Sequence, residues 1–186
     1  RDGYRAEWVD DRGDHQYAVV RFVDLRDVSK NDWLAANQVW MKGQLHNRRP
    51  DAVLYVNGIP LVLLEFKGAA ISVEHGYHDN ICDYRDTIPQ LFWPNGFIII
   101  SNGSEAKVGA TYATWEFFGD WKVIDADGNR GVVALETAIR GTCAKETLLD
   151  LIENFVAYLE RPGGLVKSVA RNHQFLGVNA SIENMS

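Results

Sequence analysis

The feature that most constrains this chain is a pair of apolar runs joined by a turn dipeptide. Ala52–Val56 and Ile59–Leu64 are separated by Asn57-Gly58, a strong short-range indication of a β-hairpin. Three ionisable residues stand at the open end of this hairpin, namely Asp51, Glu65 and Lys67. Buried strands rarely carry charge unless the charge is paired or binds a metal. The charges at this end of an apolar hairpin therefore indicate a functional site.

The alternation of side chains along a strand decides whether these residues can meet. Glu65 and Lys67 share one face, and both faces are apolar before Glu65, which predicts a central strand covered on both sides. A strict two-residue turn would place Asp51 opposite Leu64, on the wrong face for a shared site. A three-residue loop with Gly58 in a left-handed bulge would return Asp51 to the face of Glu65. We therefore predict an odd-length loop or a bulge in this hairpin.

Two carboxylates a few ångströms apart repel each other, and a divalent cation relieves that repulsion. Carboxylate oxygens, together with the adjacent carbonyl oxygen of Phe66, suit Mg²⁺, which keeps several waters and binds substrate phosphate. We expect Asp51 and Glu65 to bind Mg²⁺. A lysine beside the ion can orient or deprotonate the attacking water and offset charge on a phosphate, a role expected of Lys67. The implied reaction is metal-assisted phosphodiester hydrolysis.

Composition limits how such a chain could bind DNA. The net charge of −6 gives no general basic surface. Binding would need a partner that holds the DNA or a local basic cluster, formed by Lys42, Arg48, Arg49 and Lys67. Cys82 and Cys143 lie far apart in the sequence and are interpreted as free thiols of a cytoplasmic protein. No apolar run approaches the length of a membrane span, and no signal peptide is visible.

The rest of the chain predicts strands and helices around the hairpin. Ser72 could cap a helix from Val73 to about Arg85, on which Asn80 and Tyr84 share a face. The clearest helix spans Lys145–Leu159, whose apolar residues form one stripe. Short strands are predicted over Tyr17–Val23, Phe97–Ile100 and Ala106–Tyr112. Trp33–Met41 fits a strand or a short helix, with a strand favoured at its C-terminal end.

Pro50-Asp51 followed by Glu65-x-Lys67 resembles the PD-(D/E)xK nuclease motif. From Gln38 to the C-terminus, the chain also resembles the N-terminal nuclease region of the motor/restriction subunit of type I restriction enzymes. That resemblance rests on RRPDAVLYVNGIPLVLLEFK (48–67), IPQLFWPNGFIIISNGSEAKVGATYATWEFFGDWK (88–122), KETLLDLIENFV (145–156) and LVKSVARNHQFLGVNASIE (165–183). It implies an α/β fold with a PD-(D/E)xK, restriction endonuclease-like core, in which helices flank a central mixed β-sheet.

The resemblance also implies roles for individual residues. It makes Asp51, Glu65 and Lys67 the catalytic residues, with Asp51 and Glu65 as the metal ligands. The family has a supporting Gln-x-x-x-Tyr motif; here Asn80 stands where glutamine is expected, and Tyr84 is in place. These two residues are expected to support the site or to contact phosphate.

Two further residues enter through the same resemblance. An acidic residue from a more N-terminal helix could complete the site; in this chain it is either missing or supplied by Glu7. Gln174, in His173-Gln174, resembles the adenine-recognising glutamine at the entry to the ATP site of the full-length enzyme. No phosphate-cradling GxxxxGK[ST] sequence occurs in the chain, so we do not expect it to bind ATP tightly or to translocate DNA by itself.

The implied organisation is a nuclease domain over residues 1–160, followed by a linker and the start of a helicase-like motor domain over 161–186. Arg161-Pro162-Gly163-Gly164 is typical of such a boundary. The implied function is Mg²⁺-dependent cleavage of double-stranded DNA, coupled to ATP-driven translocation by the motor. Methyltransferase and specificity subunits are the implied partners, with S-adenosylmethionine as their cofactor. Two alternatives are a non-catalytic docking or DNA-guiding module and a stand-alone repair or junction nuclease.

Overall fold

The computed structural model describes residues 3–161 and 164–185. Its strands are β1 Tyr4–Val9, β2 His15–Val20, β3 Trp33–Asn37, β4 Ala52–Val56, β5 Ile59–Phe66, β6 Phe97–Ser101, β7 Ala106–Ala110, β8 Gly119–Asp120, β9 Val156–Arg161 and β10 Gly164–Val169. Strands β3 to β8 form a six-stranded sheet in chain order, while β1–β2 and β9–β10 form separate antiparallel pairs. In the six-stranded sheet only β5 and β6 run parallel, so the sheet is mixed.

Helices cover both faces of this sheet. They are α1 Val73–His75, α2 Cys82–Thr87, α3 Ala134–Thr142, α4 Lys145–Asp150 and α5 Asn172–Glu183, with π-helical segments at Gly76–Ile81 and Leu151–Phe155. The continuous helical stretch from α1 to α2 packs on one face, and α3, α4 and α5 pack on the other. The predicted α/β fold with a central mixed sheet flanked by helices is confirmed. Within the described residues, no helix combines the length and apolar character needed to cross a membrane.

The hairpin of β4 and β5 contains the predicted bulge, although not where the three-residue loop would have put it. Asn57 and Gly58 form a two-residue turn with φ angles of 51° and 78°, and Val56 pairs with Ile59. The register then shifts between Tyr55 and Leu54, because one extra residue enters β5. The three-residue loop is therefore wrong, and the bulge lies two residues beyond the turn.

The bulge sets the faces of β5. Beyond it Val53 pairs with Leu63, and both contact the cluster under the α1–α2 stretch. Val62 and Leu64 point to the opposite cluster, against α3 and α4. The central strand is thus covered on both sides, as predicted, and Glu65 follows Leu63 on the face that the α1–α2 stretch covers.

Other elements differ from the predictions in their bounds. The strand in Trp33–Met41 lies at its N-terminal end, not its C-terminal end, because Trp33–Asn37 pairs fully with β4. The predicted helix over Lys145–Leu159 leaves helical geometry after Phe155, and the chain continues as β9. The β-branched Val156 begins that strand, and Leu159 is 43% exposed, so the predicted stripe is wrong at its C-terminal end.

The predicted domain boundary falls between β9 and β10, which pair with each other; Pro162 and Gly163 lie outside the described residues. Beyond it, Phe175 of α5 is 6% exposed and contacts Phe155 and Trp121 at ring-centroid distances of 4.8 and 5.7 Å. The segment after 161 therefore shares the core cluster of the sheet. The division into nuclease domain and motor start stays a prediction.

We expect Gly76→Ala to lower the free energy of unfolding by about 1–3 kcal/mol. A Cβ at Gly76 would lie 2.5 Å from Ile100 Cγ2 and 3.4 Å from Lys67 Cε, so the α1–α2 stretch would have to move off the sheet. Gly177 in α5 is the matched control, because a Cβ there meets no atom of the described residues within 4 Å. Gly177→Ala should stabilise the chain by about 0.5–1 kcal/mol through helix propensity. Urea unfolding of both variants measures the difference; equal effects would contradict the close packing.

Candidate active site

The bulged hairpin brings Asp51 and Glu65 to one end of the sheet. Glu65 is the penultimate residue of β5, and Asp51 directly precedes β4, whose first residue Ala52 pairs with Leu64. Continuing that register places Asp51 opposite Glu65, on the same face. Lys67 follows directly after β5, and its backbone N–H donates to Ser101 O at 2.8 Å, which prolongs the pairing with β6.

Glu65 is buried to an extent that is unusual for a carboxylate. Its side chain is 3% exposed, and Oε2 has no hydrogen-bond partner among the described residues. Burial raises the pKa of Glu65 to about 7, the neighbouring charge of Asp51 adds to the rise, and contacts with Lys67 and Tyr84 oppose it. An acid with a raised pKa at the mouth of a sheet is typical of functional sites.

Asp51 is held by donors on both carboxylate oxygens. Phe66 N donates to Oδ2 at 2.8 Å, and Gln38 Nε2 donates to Oδ1 at 2.7 Å. Gln38 has a φ of 53°, a left-handed conformation that a non-glycine residue rarely adopts, and its N–H donates to Asp51 O at 2.9 Å. Sequence reasoning missed Gln38. The pairing of Asn37 with Ala52, once known, places Gln38 beside Asp51.

The helical stretch over this face supplies the remaining residues. Lys67 Nζ lies 3.4 Å from Glu65 Oε1 and donates a short hydrogen bond to Asn80 Oδ1. Asn80 Nδ2 in turn donates to Tyr84 Oη at 3.3 Å. Burial raises the pKa of Tyr84 to about 12, so this hydroxyl stays protonated at neutral pH. The hydrogen bond from Lys67 shows that the Asn80 side chain, one methylene shorter than the glutamine of the family motif, is long enough to reach the lysine.

The structure brings together Asp51, Glu65, Lys67, Asn80 and Tyr84, the five residues that the sequence singled out for this site. Two other candidates lie elsewhere. Glu7 lies on β1, in a separate two-stranded sheet and not on a helix, and forms an ion pair with Arg5 at 3.4 Å. Gln174 lies in the first turn of α5, where its side-chain oxygen accepts from Arg171 N at 2.8 Å. It lines a cavity of about 430 Å³, together with Lys167 and Arg171.

The carboxylate oxygens of Asp51 and Glu65 suit a divalent cation that prefers hard oxygen ligands. Two carboxylates face each other at the site, and Oε2 of Glu65 is a buried acceptor without a hydrogen-bond donor among the described residues. In the described part of the chain, no group of three or more His, Cys, Asp or Glu side chains could hold a metal. A site here would therefore take two carboxylates and complete its shell with backbone oxygen or water, as Mg²⁺ commonly does.

A mixed sheet with two carboxylates and a lysine converging at the end of its central hairpin is compatible with the restriction endonuclease-like fold. Comparison with known proteins agrees. The family model of the type I restriction enzyme R protein N terminus matches residues 1–117. The chain belongs to this family.

Relatives match over nearly the whole chain. The endonuclease subunit of the type I restriction enzyme HindI from Haemophilus influenzae is 31% identical over 193 residues, which cover 99% of this chain. The MjaIXP protein of Methanocaldococcus jannaschii, provisionally named as a type I restriction enzyme endonuclease subunit, is 25% identical over 205 residues, 98% of this chain. The aligned regions are 18% and 19% of those proteins, so the chain spans under a fifth of their length. It corresponds to the N-terminal region of the R subunit.

We expect Glu65→Gln to raise the Tm of the metal-free chain by roughly 5 °C at pH 8 and to leave it nearly unchanged at pH 4. The folded-state pKa of about 7 lies above the ordinary value of 4.5, so the folded protein retains a proton that the unfolded chain releases. Stability therefore falls as the pH rises from about 4.5 to 7, and the amide removes that loss. Thermal unfolding in a chelator between pH 4 and 8 tests this. An equal rise in Tm at pH 4 and at pH 8 would contradict a raised pKa of Glu65.

Proposed function

We propose that this chain is the nuclease region of a type I restriction enzyme R subunit and cleaves double-stranded DNA with Mg²⁺ as cofactor. Asp51 and Glu65 would hold the ion, and Asp51, Glu65 and Lys67 would form the catalytic group. The observation that carries this proposal is the buried carboxylate of Glu65, which faces Asp51 and has one oxygen with no hydrogen-bond partner in the part of the chain that the structure describes. Bound Mg²⁺ supplies charge stabilisation at the phosphate and lowers the pKa of a bound water.

The chain's own residues divide the remaining work. Gln38 and Phe66 N fix the carboxylate of Asp51 in one orientation, which reduces the entropy lost when it binds. Lys67 extends its ammonium group beside Glu65, where it can orient a water molecule and offset negative charge that develops on a phosphate. Asn80 accepts from Lys67 and contacts Tyr84, so the lysine is held between the helical stretch and β5.

For the whole protein, we propose that cleavage is coupled to ATP-driven translocation by a motor domain beyond this region. Methyltransferase and specificity subunits, with S-adenosylmethionine, would provide modification and sequence recognition. The names of the relatives describe endonuclease subunits of type I enzymes, which supports a multisubunit complex. Gln174 beside its cavity would contribute to the ATP site only in the full-length enzyme. We further propose that the protein acts in the cytoplasm.

We expect Asp51→Ala, Glu65→Ala and Lys67→Ala each to reduce DNA cleavage by the complete enzyme at least a hundredfold. Each removes a metal ligand or the ammonium group, and none of them contributes to the motor. ATP hydrolysis should therefore stay at the wild-type rate in the same preparations. Glu146→Ala, an exposed acid in α4 on the opposite face of the sheet, is the control. A variant that cuts DNA normally would remove its residue from the mechanism.

We expect Asn80→Gln to retain cleavage and Asn80→Ala to lose at least tenfold. Glutamine keeps the amide that accepts from Lys67, and it is the residue expected at this position of the family motif. Alanine leaves the ammonium group without its partner on the helical stretch. Single-turnover cleavage by the complete enzyme measures both. Equal rates for the two variants would show that the amide does not act through Lys67.

A further inference from the structure

The connection between β3 and β4 lies beside the candidate site. Strand β3 ends at Asn37, which pairs with Ala52, so residues 38–51 emerge at the same end of the sheet as Glu65 and Lys67. Gln38 begins this connection and Asp51 ends it, and the two are hydrogen-bonded to each other. Any polymer whose phosphate reaches Glu65 must therefore pass close to this connection.

The connection is also the positive part of an acidic chain. Between Asp32 and Asp51 the sequence contains no Asp or Glu, but it contains three basic residues, Lys42, Arg48 and Arg49. The chain as a whole carries a net charge of −6. A local positive strip beside the carboxylates would offset their repulsion of a polyanion.

The base of the connection is fixed to the rest of the fold. Met41 and Arg48 exchange two backbone hydrogen bonds of 2.7 and 2.9 Å, and the guanidinium of Arg48 is paired with the carboxylate of Asp83 on α2. Gln90 Nε2 donates to Lys42 O at 2.8 Å. Arg48 is thus occupied as an anchor, which leaves Lys42 and Arg49 as the exposed cations of the strip.

On this fixed base the structure presents an aromatic–basic pair. Trp40 is 65% exposed, and the guanidinium carbon of Arg49 lies 5.4 Å from the centroid of its ring. Stacking on the ring restrains the guanidinium and leaves its N–H edges available for a bidentate contact with phosphate. Arg49 is two residues from Asp51, so their Cα atoms are at most about 7 Å apart.

We propose that Trp40 and Arg49 form a DNA-backbone contact that positions the duplex over Asp51 and Glu65. Arg49 binds a phosphate near the one that is cut, and Trp40 packs against the neighbouring sugar or base. Lys42 adds charge farther along the strip. This inference rests on the proposed function, because it takes DNA as the substrate of the adjacent site. It assigns positioning to residues outside the catalytic group.

The test uses the complete restriction complex with the full-length subunit. Arg49→Ala and Trp40→Ala should each reduce cleavage about tenfold or more. The deficit of Arg49→Ala should shrink as the salt concentration rises, because a variant with one phosphate contact fewer depends less steeply on salt. Arg49→Lys should be intermediate, since it keeps the charge and loses the planar fork. ATP hydrolysis and calorimetric Mg²⁺ binding should match the wild type, which shows that the motor and the carboxylates are intact.

Two matched controls lie at the opposite end of the sheet. Arg26 is exposed in the segment that contacts the Asn57-Gly58 turn, and Trp93 is 71% exposed before β6. Arg26→Ala and Trp93→Ala should cut DNA at wild-type rates. Reductions equal to those at positions 40 and 49 would overturn the assignment.

Crosslinking distinguishes a contact with DNA from a contact with another protein subunit, and it does not rely on cleavage. A benzophenone amino acid at position 40, in a complex that also carries Asp51→Ala, should crosslink to duplex DNA during translocation, and one at position 93 should not. Crosslinking to another subunit instead, or wild-type cleavage by both Trp40→Ala and Arg49→Ala, would overturn the inference. Normal cleavage by Asp51→Ala alone would contradict the proposed function, while the crosslink would still decide the DNA contact.

Discussion

The candidate site is built around a buried carboxylate, Glu65, which faces a second carboxylate, Asp51. Neither burial nor like charge favours ionisation, and together they raise the pKa of Glu65 to about 7. The arrangement exists because of one extra residue in β5: without that bulge, the side-chain alternation would turn Asp51 to the other face. A local irregularity in the hairpin thus determines whether the two carboxylates share a face of the sheet.

The helical stretch that packs over the two carboxylates positions the residues around them. The α1–α2 stretch approaches the sheet closely at Gly76 and then provides Asn80 and Tyr84, which hold Lys67 toward Glu65. Helix α2, at the end of this stretch, also fixes the β3–β4 connection through the Arg48–Asp83 ion pair. One helical stretch therefore positions both the lysine beside the carboxylates and the basic strip next to them.

The sequence was sufficient to predict the hairpin and the meeting of Asp51, Glu65 and Lys67, because these follow from turn chemistry, alternation and charge in apolar runs. Asn80 and Tyr84 were expected at the site only through the family resemblance. The sequence could not predict where the bulge lies, since Pro60 and Gly58 both allow one. Nor could it predict Gln38, whose role depends on a pairing between strands β3 and β4 that are distant in the sequence. The predicted helix over residues 145–159 was too long at its C-terminal end. Apolar spacing alone does not show where a chain stops being helical and begins a strand that pairs elsewhere in the fold.

We propose that Asp51 and Glu65 together bind a divalent cation and that binding drives the proton off Glu65. Calorimetric titration of the chain with Mg²⁺ at pH 7, in two buffers of different ionisation enthalpy, measures affinity and proton release together. With a pKa of about 7, Glu65 should release roughly half a proton per ion bound, and Glu65→Gln should show neither tight binding nor proton release. Equal affinity in Glu65→Gln, or binding without proton release in the wild type, would contradict it.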